Sequence, residues 1–354
     1  MRKLSAFAGT MPNKCQFGIT LNYVVLRLLK SSMHSFSDIA RLFEAFLNKQ
    51  ALFSREPVNL YEPCQYLLAA GGKRIRPALC LMSHELFGPL GDSAYHAALA
   101  LELFHNFTLM HDDILDEAPL RRGQPTVHIK FGLAAGILSG DVMNVCAYRQ
   151  LAHVDDKCLA EVFSVFNQTA IEVCEGQQLD FDFESEDKVT VDKYLRMIEL
   201  KTSVLLAASM KIGAVIADAS ETQSAAMYDF GKYLGLAFQI QDDYLDVFGN
   251  ESLIGKQIGG DILARKKTIL YTYFQEIAED TKIKALDRLY LEKPENLVTA
   301  VTALFQEAGA DEAVRKMILQ YTDLAFGALK SLNLPEEKTA NLEALFLQLL
   351  HRTS

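Results

Sequence analysis

Two segments of this chain are apolar on nearly every face, yet each ends in a dense run of carboxylates. The first extends from Ala94 to Leu115 and closes on His111-Asp112-Asp113-Ile114-Leu115-Asp116-Glu117. The second extends from Tyr228 to Phe248 and contains Gln241-Asp242-Asp243-Tyr244-Leu245-Asp246. A helix that is apolar all round belongs at the centre of a fold. Each cluster reads D-D-x-x-D, and residues i and i+4 share a helix face, so Asp112 points with Asp116 and Asp242 with Asp246. Like charges at that spacing weaken the helix. Partial burial adds a desolvation cost on the order of several kcal/mol per ion. A hard dication relieves both problems, and an oxygen-only donor set without His or Cys suits Mg²⁺, which binds through one or two carboxylates, waters and substrate phosphates. One such cluster alone reads equally well as a solvated acidic helix end. Two copies, each closing an apolar helix, point to metal.

The rest of the chain is consistent with a helical enzyme. Segments rich in Ala, Leu, Met and Glu dominate its 354 residues, and alternating strand-type runs are scarce. With no internal repeat, no low-complexity tract and no long Pro/Gly/Ser linker, the sequence predicts an all-α single domain. The net charge of −10 disfavours nucleic acid as a partner, because phosphate neutralisation needs a basic surface. No apolar run is long enough to span a membrane. The six cysteines (Cys15, Cys64, Cys80, Cys146, Cys158, Cys174) form no C-x-x-C pair, which argues against a zinc site or a disulfide framework and for a reducing, cytoplasmic setting. The patch from Tyr23 to Leu29 is interrupted by Arg27, and a regular helical pattern starts just after Met33. Residues 1–32 are therefore expected to be a poorly ordered extension preceding a domain over 33–354.

Positive charge recurs beside each acidic cluster. Gly71-Gly72-Lys73-Arg74-Ile75-Arg76-Pro77 forms a glycine-led basic turn in front of a helix, a place suited to phosphate. Arg121-Arg122-Gly123 follows the first cluster, Lys201-Thr202 sits mid-chain in an otherwise apolar helix, and Lys256 and Lys266-Lys267-Thr268 follow the second. Diphosphates bridging Mg²⁺ and cations would account for this grouping. His105 lies seven residues before Asp112 on nearly the same face and reads either as a core histidine or as a diphosphate contact in an anionic neighbourhood.

Together these stretches resemble the trans-isoprenyl diphosphate synthase (polyprenyl synthetase) family. The resemblance rests on G-G-K-R-I-R-P (71–77), E-L-F-H (102–105), D-D-I-L-D (112–116), R-R-G (121–123), E-G-Q (175–177), K-T (201–202), F-Q-I-Q-D-D-Y-L-D (238–246), G-K (255–256) and D-I-L-A-R-K-K-T (261–268), in the family's order. It implies a helical bundle around a deep central cavity, usually a homodimer, that joins isopentenyl diphosphate to an allylic diphosphate with the help of about two to three Mg²⁺ ions. By motif, Asp112, Asp116 and Asp242 correspond to the metal ligands, with Asp113 and Asp246 in support. Arg121, Lys201, Thr202, Gln239 and Lys256 correspond to allylic diphosphate contacts, and Lys73, Arg76, His105 and Arg122 to isopentenyl diphosphate contacts. One departure is Arg265, where the family often has Gly, which leaves the roles of Lys266 and Lys267 open.

Phe107 lies five residues before Asp112, about 7.5 Å along a helix axis, where a bulky side chain would block a growing prenyl tail or simply fill core. With the small Thr108 beside it and no insertion in D-D-x-x-D, the pattern resembles short-chain synthases making C20, with C15 next. Class I terpene cyclases and head-to-head prenyl synthases share the aspartate helices but not the second set of basic motifs. A non-catalytic regulatory subunit would commonly have lost one aspartate motif, and both are intact here.

Overall fold

A capping box opens the helical part of the chain: Ser35 Oγ accepts from the Asp38 amide, and the Asp38 carboxylate accepts from the Ser35 amide. The computed structural model describes residues 33–249 and 258–350; the extension 1–32 and Lys256 lie outside the described residues. The helices are α1 (Phe36–Lys49), α2 (Val58–Ala69), α3 (Ile75–Phe87), α4 (Asp92–Leu115), α5 (Val127–Phe131), α6 (Leu133–Leu151), α7 (Asp156–Ser185) and α8 (Val191–Ile198). They continue as α9 (Val204–Ile216), α10 (Glu221–Phe248), α11 (Gly260–Leu263), α12 (Ile269–Ile277), α13 (Asp280–Glu292), α14 (Leu297–Glu307), α15 (Ala310–Ser331) and α16 (Glu336–Leu350). Among the described residues the sole sheet is a hairpin in which Leu120–Arg121 pairs with Gln124–Pro125. The fold is all-α, as the composition predicts.

The two carboxylate-bearing helices are α4 and α10. Every residue of α4 from Ala97 to Phe104 is buried, which fits its all-round apolar sequence. The most enclosed helix, however, is α9, on which Lys211 alone escapes burial. It packs against α10, α3, α7 and α4. The helix expected to carry Lys201-Thr202 is interrupted: α8 and α9 are joined by a π-helical turn over Glu199–Ser203.

The apolar side chains form two clusters. One gathers α1 to α7, α9 and the first half of α10 around Phe43, Phe104, Phe166 and Phe230, and is closed by α16. The other gathers α8, the second half of α10 and α12 to α15 around Phe274, Leu286 and Phe305. Each fully buried Phe or Leu contributes about 2–3 kcal/mol through removal of its surface from water. Helix α10 contributes to both clusters and so ties them together. Among the described residues no helix is long and apolar enough to cross a membrane.

Candidate active site

A cavity of ≈ 880 Å³ brings the two aspartate motifs together. Asp116, at the C-terminal end of α4, lines it opposite Asp242, Asp243 and Asp246 of α10, with Lys201, Thr202 and Gln239 on the same wall. Asp112 lies one turn back along α4. Burial raises its carboxyl pKa to about 6, with the Lys201 ammonium pulling the other way and Asp116 adding to the rise. Lys201 thus acts electrostatically on the first motif, as Arg121 does, while lining the cavity with the second.

The second aspartate of each motif turns inward. Asp113 is 1% exposed and accepts from Arg121 Nε at 2.8 Å to both oxygens, with Arg121 Nη2 2.8 Å from Oδ1. Asp243 is 5% exposed and accepts from the Tyr194 hydroxyl, from Gln239 Nε2 at 3.1 Å and from the Ile269 amide at 3.3 Å. Burial still raises the Asp243 carboxyl to about 7 against these donors. So Arg121, expected to be open to a diphosphate, is already held by Asp113, and Gln239 joins Thr202 (3.5 Å) to Asp243.

The basic motifs are shaped by backbone as much as by charge. Arg122 (φ 52°) and Gly123 (φ 74°) form the two-residue loop of the hairpin, with Arg121 paired to Gln124. Positive φ at both loop positions matches a primed hairpin turn, in which Gly is favoured at the second. The glycine-led turn 71–74 lies alongside it: a Cβ built on Gly72 would sit 2.8 Å from Arg122 Nη2. Arg74 is structural. It adopts φ 50° and pairs with Glu44 (2.5 Å) and Glu102 (2.6 Å), which gives the glutamate of E-L-F-H its role. Arg76 instead reaches His105, Nη1 to Nε2 at 3.1 Å, and its buried Nε has no hydrogen-bond partner. Burial lowers the Arg76 pKa to about 10. Burial and then the guanidiniums of Arg76, Arg122, Arg121 and Arg74 push the His105 imidazole well below its ordinary value. The anionic neighbourhood expected of His105 is therefore corrected: Asp112 is two turns away, and the basic turn folds over the histidine first. Arg76, His105 and Arg122 form one cationic corner, with an orphaned donor suited to an anion, and Lys73 stands in the adjoining glycine-led turn.

Lys201 Nζ donates to Asp180 on α7 at 2.5 Å. After the second motif, the Asp261 amide donates to Asp246 at 3.0 Å, and Lys266 approaches Asp261 at 3.7 Å on the cavity wall. Lys267 donates to the carbonyls of Phe183 (2.5 Å) and Glu186, capping the end of α7. Both lysines left open by the sequence line the cavity, and Lys267 also ties the loop to α7. Phe107 packs on Phe104 and His111, with ring centroids 5.6 and 4.8 Å apart, and Phe104 continues the aromatic stack to Phe166 at 5.4 Å. Thr108 donates to the His105 carbonyl at 2.8 Å.

Asp116, Asp242 and Asp246 fit Mg²⁺ in donor chemistry, all bringing carboxylates to one cavity, with Asp112 one turn back from Asp116. Among the described residues no three His, Cys, Asp or Glu side chains close up into a chelating group by themselves. An ion there would complete its shell with diphosphate oxygens and waters, as Mg²⁺ characteristically does.

The polyprenyl synthetase model matches residues 57–307, which takes in every helix that carries these motifs. The chain belongs to the polyprenyl synthetase family. A geranylgeranyl diphosphate synthase of Methanosarcina mazei is 39% identical over 289 residues, covering 81% of this chain and 88% of its own. A geranylfarnesyl diphosphate synthase of Natronomonas pharaonis is 34% identical over 308 residues, covering 81% and 88%. A solved geranylgeranyl pyrophosphate synthase superposes with a TM-score of 0.85 at 41% identity, covering 91% of this chain and all of that one. The fold is the all-α fold of these synthases.

Two residues of this polyprenyl synthetase site escaped sequence reasoning, Asp180 and Tyr194, while Asp261 was quoted in its motif without a role. Asp180 carried a usable signal, since it follows Gly176 of E-G-Q by four residues and shares its helix face. Tyr194 carried none, because its hydroxyl reaches Asp243 across 49 residues of chain.

Proposed function

We propose that this polyprenyl synthetase condenses isopentenyl diphosphate head-to-tail with an allylic diphosphate to give a short all-trans prenyl diphosphate, C20 in the first instance, with release of diphosphate. The observation that carries the reading is the single cavity shared by Asp116, Asp242, Asp246 and Lys201. Asp112, Asp116 and Asp242 would hold Mg²⁺, which when bound supplies neutralisation of the leaving diphosphate. Lys201, Thr202, Arg121 and Gln239, together with Lys256, bind the allylic diphosphate. To do so Lys201 must share its ammonium between substrate and Asp180. Lys73, Arg76, His105 and Arg122 bind the diphosphate of isopentenyl diphosphate, and a neutral His105 lets Arg76 and Arg122 carry the charge without a further cation beside them.

Heterolysis of the allylic C–O bond develops negative charge on the departing diphosphate, which Lys201 on the cavity wall would stabilise increasingly towards the transition state. The isopentenyl double bond then attacks the allylic carbon, and the adjacent proton leaves to the released diphosphate. Phe183, Tyr194, Met197, Ile198 and Tyr271 supply an apolar wall that keeps water from the cation. The C20 assignment is supported by the aromatic stack from Phe107 to Phe166 and by the geranylgeranyl diphosphate synthases among the relatives.

The chain is further assigned as a homodimer. Helices α6 and α7 leave Ile137, Leu138, Val145, Phe163 and Ile171 exposed, a concentration of large apolar side chains that suits burial against a second copy. Light scattering on the purified protein reads this directly.

The test of function is incubation of pure protein with Mg²⁺, isopentenyl diphosphate and, separately, dimethylallyl, geranyl and farnesyl diphosphate. Geranylgeranyl diphosphate as the main product supports the proposal. Cyclised hydrocarbon, a head-to-head product or no product would point to a cyclase, a squalene-type enzyme or a regulatory subunit.

A further inference from the structure

The π-turn Glu199–Ser203 is the one π-helical segment among the described residues, and it carries both Lys201 and Thr202. A π-turn inserts a residue into the helical ladder, and such turns recur at functional sites. What holds this one is a pair of glycines on the helices either side. On α7, a Cβ at Gly176 would lie 2.2 Å from the Lys201 amide nitrogen and 2.6 Å from the Leu200 carbonyl carbon. On α10, a Cβ at Gly235 would lie 2.6 Å from Ser203 Cα and 2.7 Å from its Oγ. Real Cβ atoms do not approach backbone so closely, so either substitution must push the turn outwards.

The two helices repeat one arrangement. Four residues after Gly176, on the same face of α7, Asp180 accepts from Lys201 at 2.5 Å. Four residues after Gly235, on the same face of α10, Gln239 meets Thr202 at 3.5 Å. In each case the glycine sets how near the turn comes, and the polar residue one turn on orients the side chain that the turn presents.

We propose that Gly176 and Gly235 are positioning residues for the allylic diphosphate site: by admitting the π-turn backbone between α7 and α10, they fix the depth at which Lys201 and Thr202 meet the substrate. This rests on the reading of Lys201 and Thr202 as allylic diphosphate contacts. Displacing them by an ångström weakens an oriented contact by one to two orders of magnitude, about 10–100-fold. The isopentenyl diphosphate corner is carried by α3, α4 and the hairpin, none of which bears the turn.

Steady-state kinetics with both substrates varied test this on Gly176→Ala, Gly235→Ala, Lys201→Ala and Gly213→Ala, each checked for helicity by circular dichroism. Gly213 is the comparison: its Cβ would lie 2.1 Å from the Cys80 carbonyl, an equally close crossing between α9 and α3 that does not touch the π-turn. Gly176→Ala and Gly235→Ala are expected to raise the KM for the allylic diphosphate at least about tenfold with the KM for isopentenyl diphosphate held within about twofold. Adding Lys201→Ala to Gly176→Ala should then cost little more, because both act through one contact. If Lys201→Ala itself leaves the allylic KM unchanged, the reading of the site fails. If Lys201→Ala raises it but the glycine variants do not, or shift both KM values together, the positioning role is overturned. Should Gly176→Ala fail to fold, Gly235→Ala decides on the same two outcomes.

Discussion

Arg121 grips Asp113 through Nε at 2.8 Å to each carboxylate oxygen, so the second aspartate of the first motif is spent on holding a basic residue in place. Removing the carboxylate should therefore damage Arg121 more than metal binding. Asp113→Ala is expected to lower stability by about 1–3 kcal/mol, below the full cost of breaking a buried pair because Arg121 is itself partly exposed. It should also raise the KM for the allylic diphosphate more than it lowers Mg²⁺ affinity. Urea unfolding, with KM and Mg²⁺ titration on the same sample, checks both; a mainly Mg²⁺-linked loss would mean that Asp113 is a ligand.

The raised Asp112 carboxyl gives a pH signature. Its native pKa of about 6 exceeds the ordinary 3.8, so between those values the folded state holds more protons than the unfolded one. Stability contributed by this group therefore falls as pH rises through that window, and the penalty is complete above about pH 6. Asp112→Asn lacks it and should be more stable than wild type without Mg²⁺ at pH 8, by about 1–2 kcal/mol after allowance for partial exposure, with no difference at pH 4. Mg²⁺ should stabilise wild type at pH 8 but not Asp112→Asn, and the variant should lose turnover by orders of magnitude with helicity intact. A stability difference independent of pH would contradict the buried, ionised carboxylate.

Phe107→Ala should lengthen the product by opening the first ring of the stack. Because Phe104 and Phe166 remain packed behind it at 5.4 Å, the extension should be about one isoprene unit, to C25, and not open-ended. Radiolabelled product chromatography reads the length. An unchanged distribution would make Phe107 simple core filling.

Arg265 shows how a departure from a family pattern can be paid for locally. Its φ of 53° is the conformation that favours glycine. The guanidinium sits 5.0 Å from the Tyr290 ring centre and 3.4 Å from Asp287. Left-handed backbone costs an L-residue about 1–2 kcal/mol, while an exposed cation–π contact and ion pair return about 1–2 kcal/mol together. Arg265→Gly is therefore expected to change stability by less than about 1 kcal/mol and to leave kcat close to wild type, since Lys267 is anchored independently on α7. A loss above about 2 kcal/mol by urea unfolding would show that Arg265 contributes more than these contacts.

Much of this site was legible in the sequence because its chemistry contradicts its surroundings. Aspartates at the ends of apolar helices and glycine-led arginines stand out whatever the fold, and the structure gathers Asp116, Asp242 and Lys201 at one cavity. What stayed hidden depends on rotational phase and on distant chain. Nothing in D-D-x-x-D says that Asp113 and Asp243 turn inward, because α4 and α10 are apolar on every side and periodicity gives no reference direction. Arg74 and Arg76 look alike in G-G-K-R-I-R-P, yet Glu44 and Glu102 claim the first and leave the second beside His105. The enclosed α9 and the π-turn before it were invisible as such, since a short apolar run shows neither its depth nor a break in its hydrogen-bond ladder.

The most direct test is a crystal structure with Mn²⁺ in place of Mg²⁺ and a non-hydrolysable allylic bisphosphonate, read by anomalous scattering. Ions should lie against Asp112 and Asp116 on one side and against Asp242 on the other, all sharing bisphosphonate oxygens that also meet Lys201. Metal at one motif only, or a bisphosphonate bound away from Lys201, would contradict a site built from both helices.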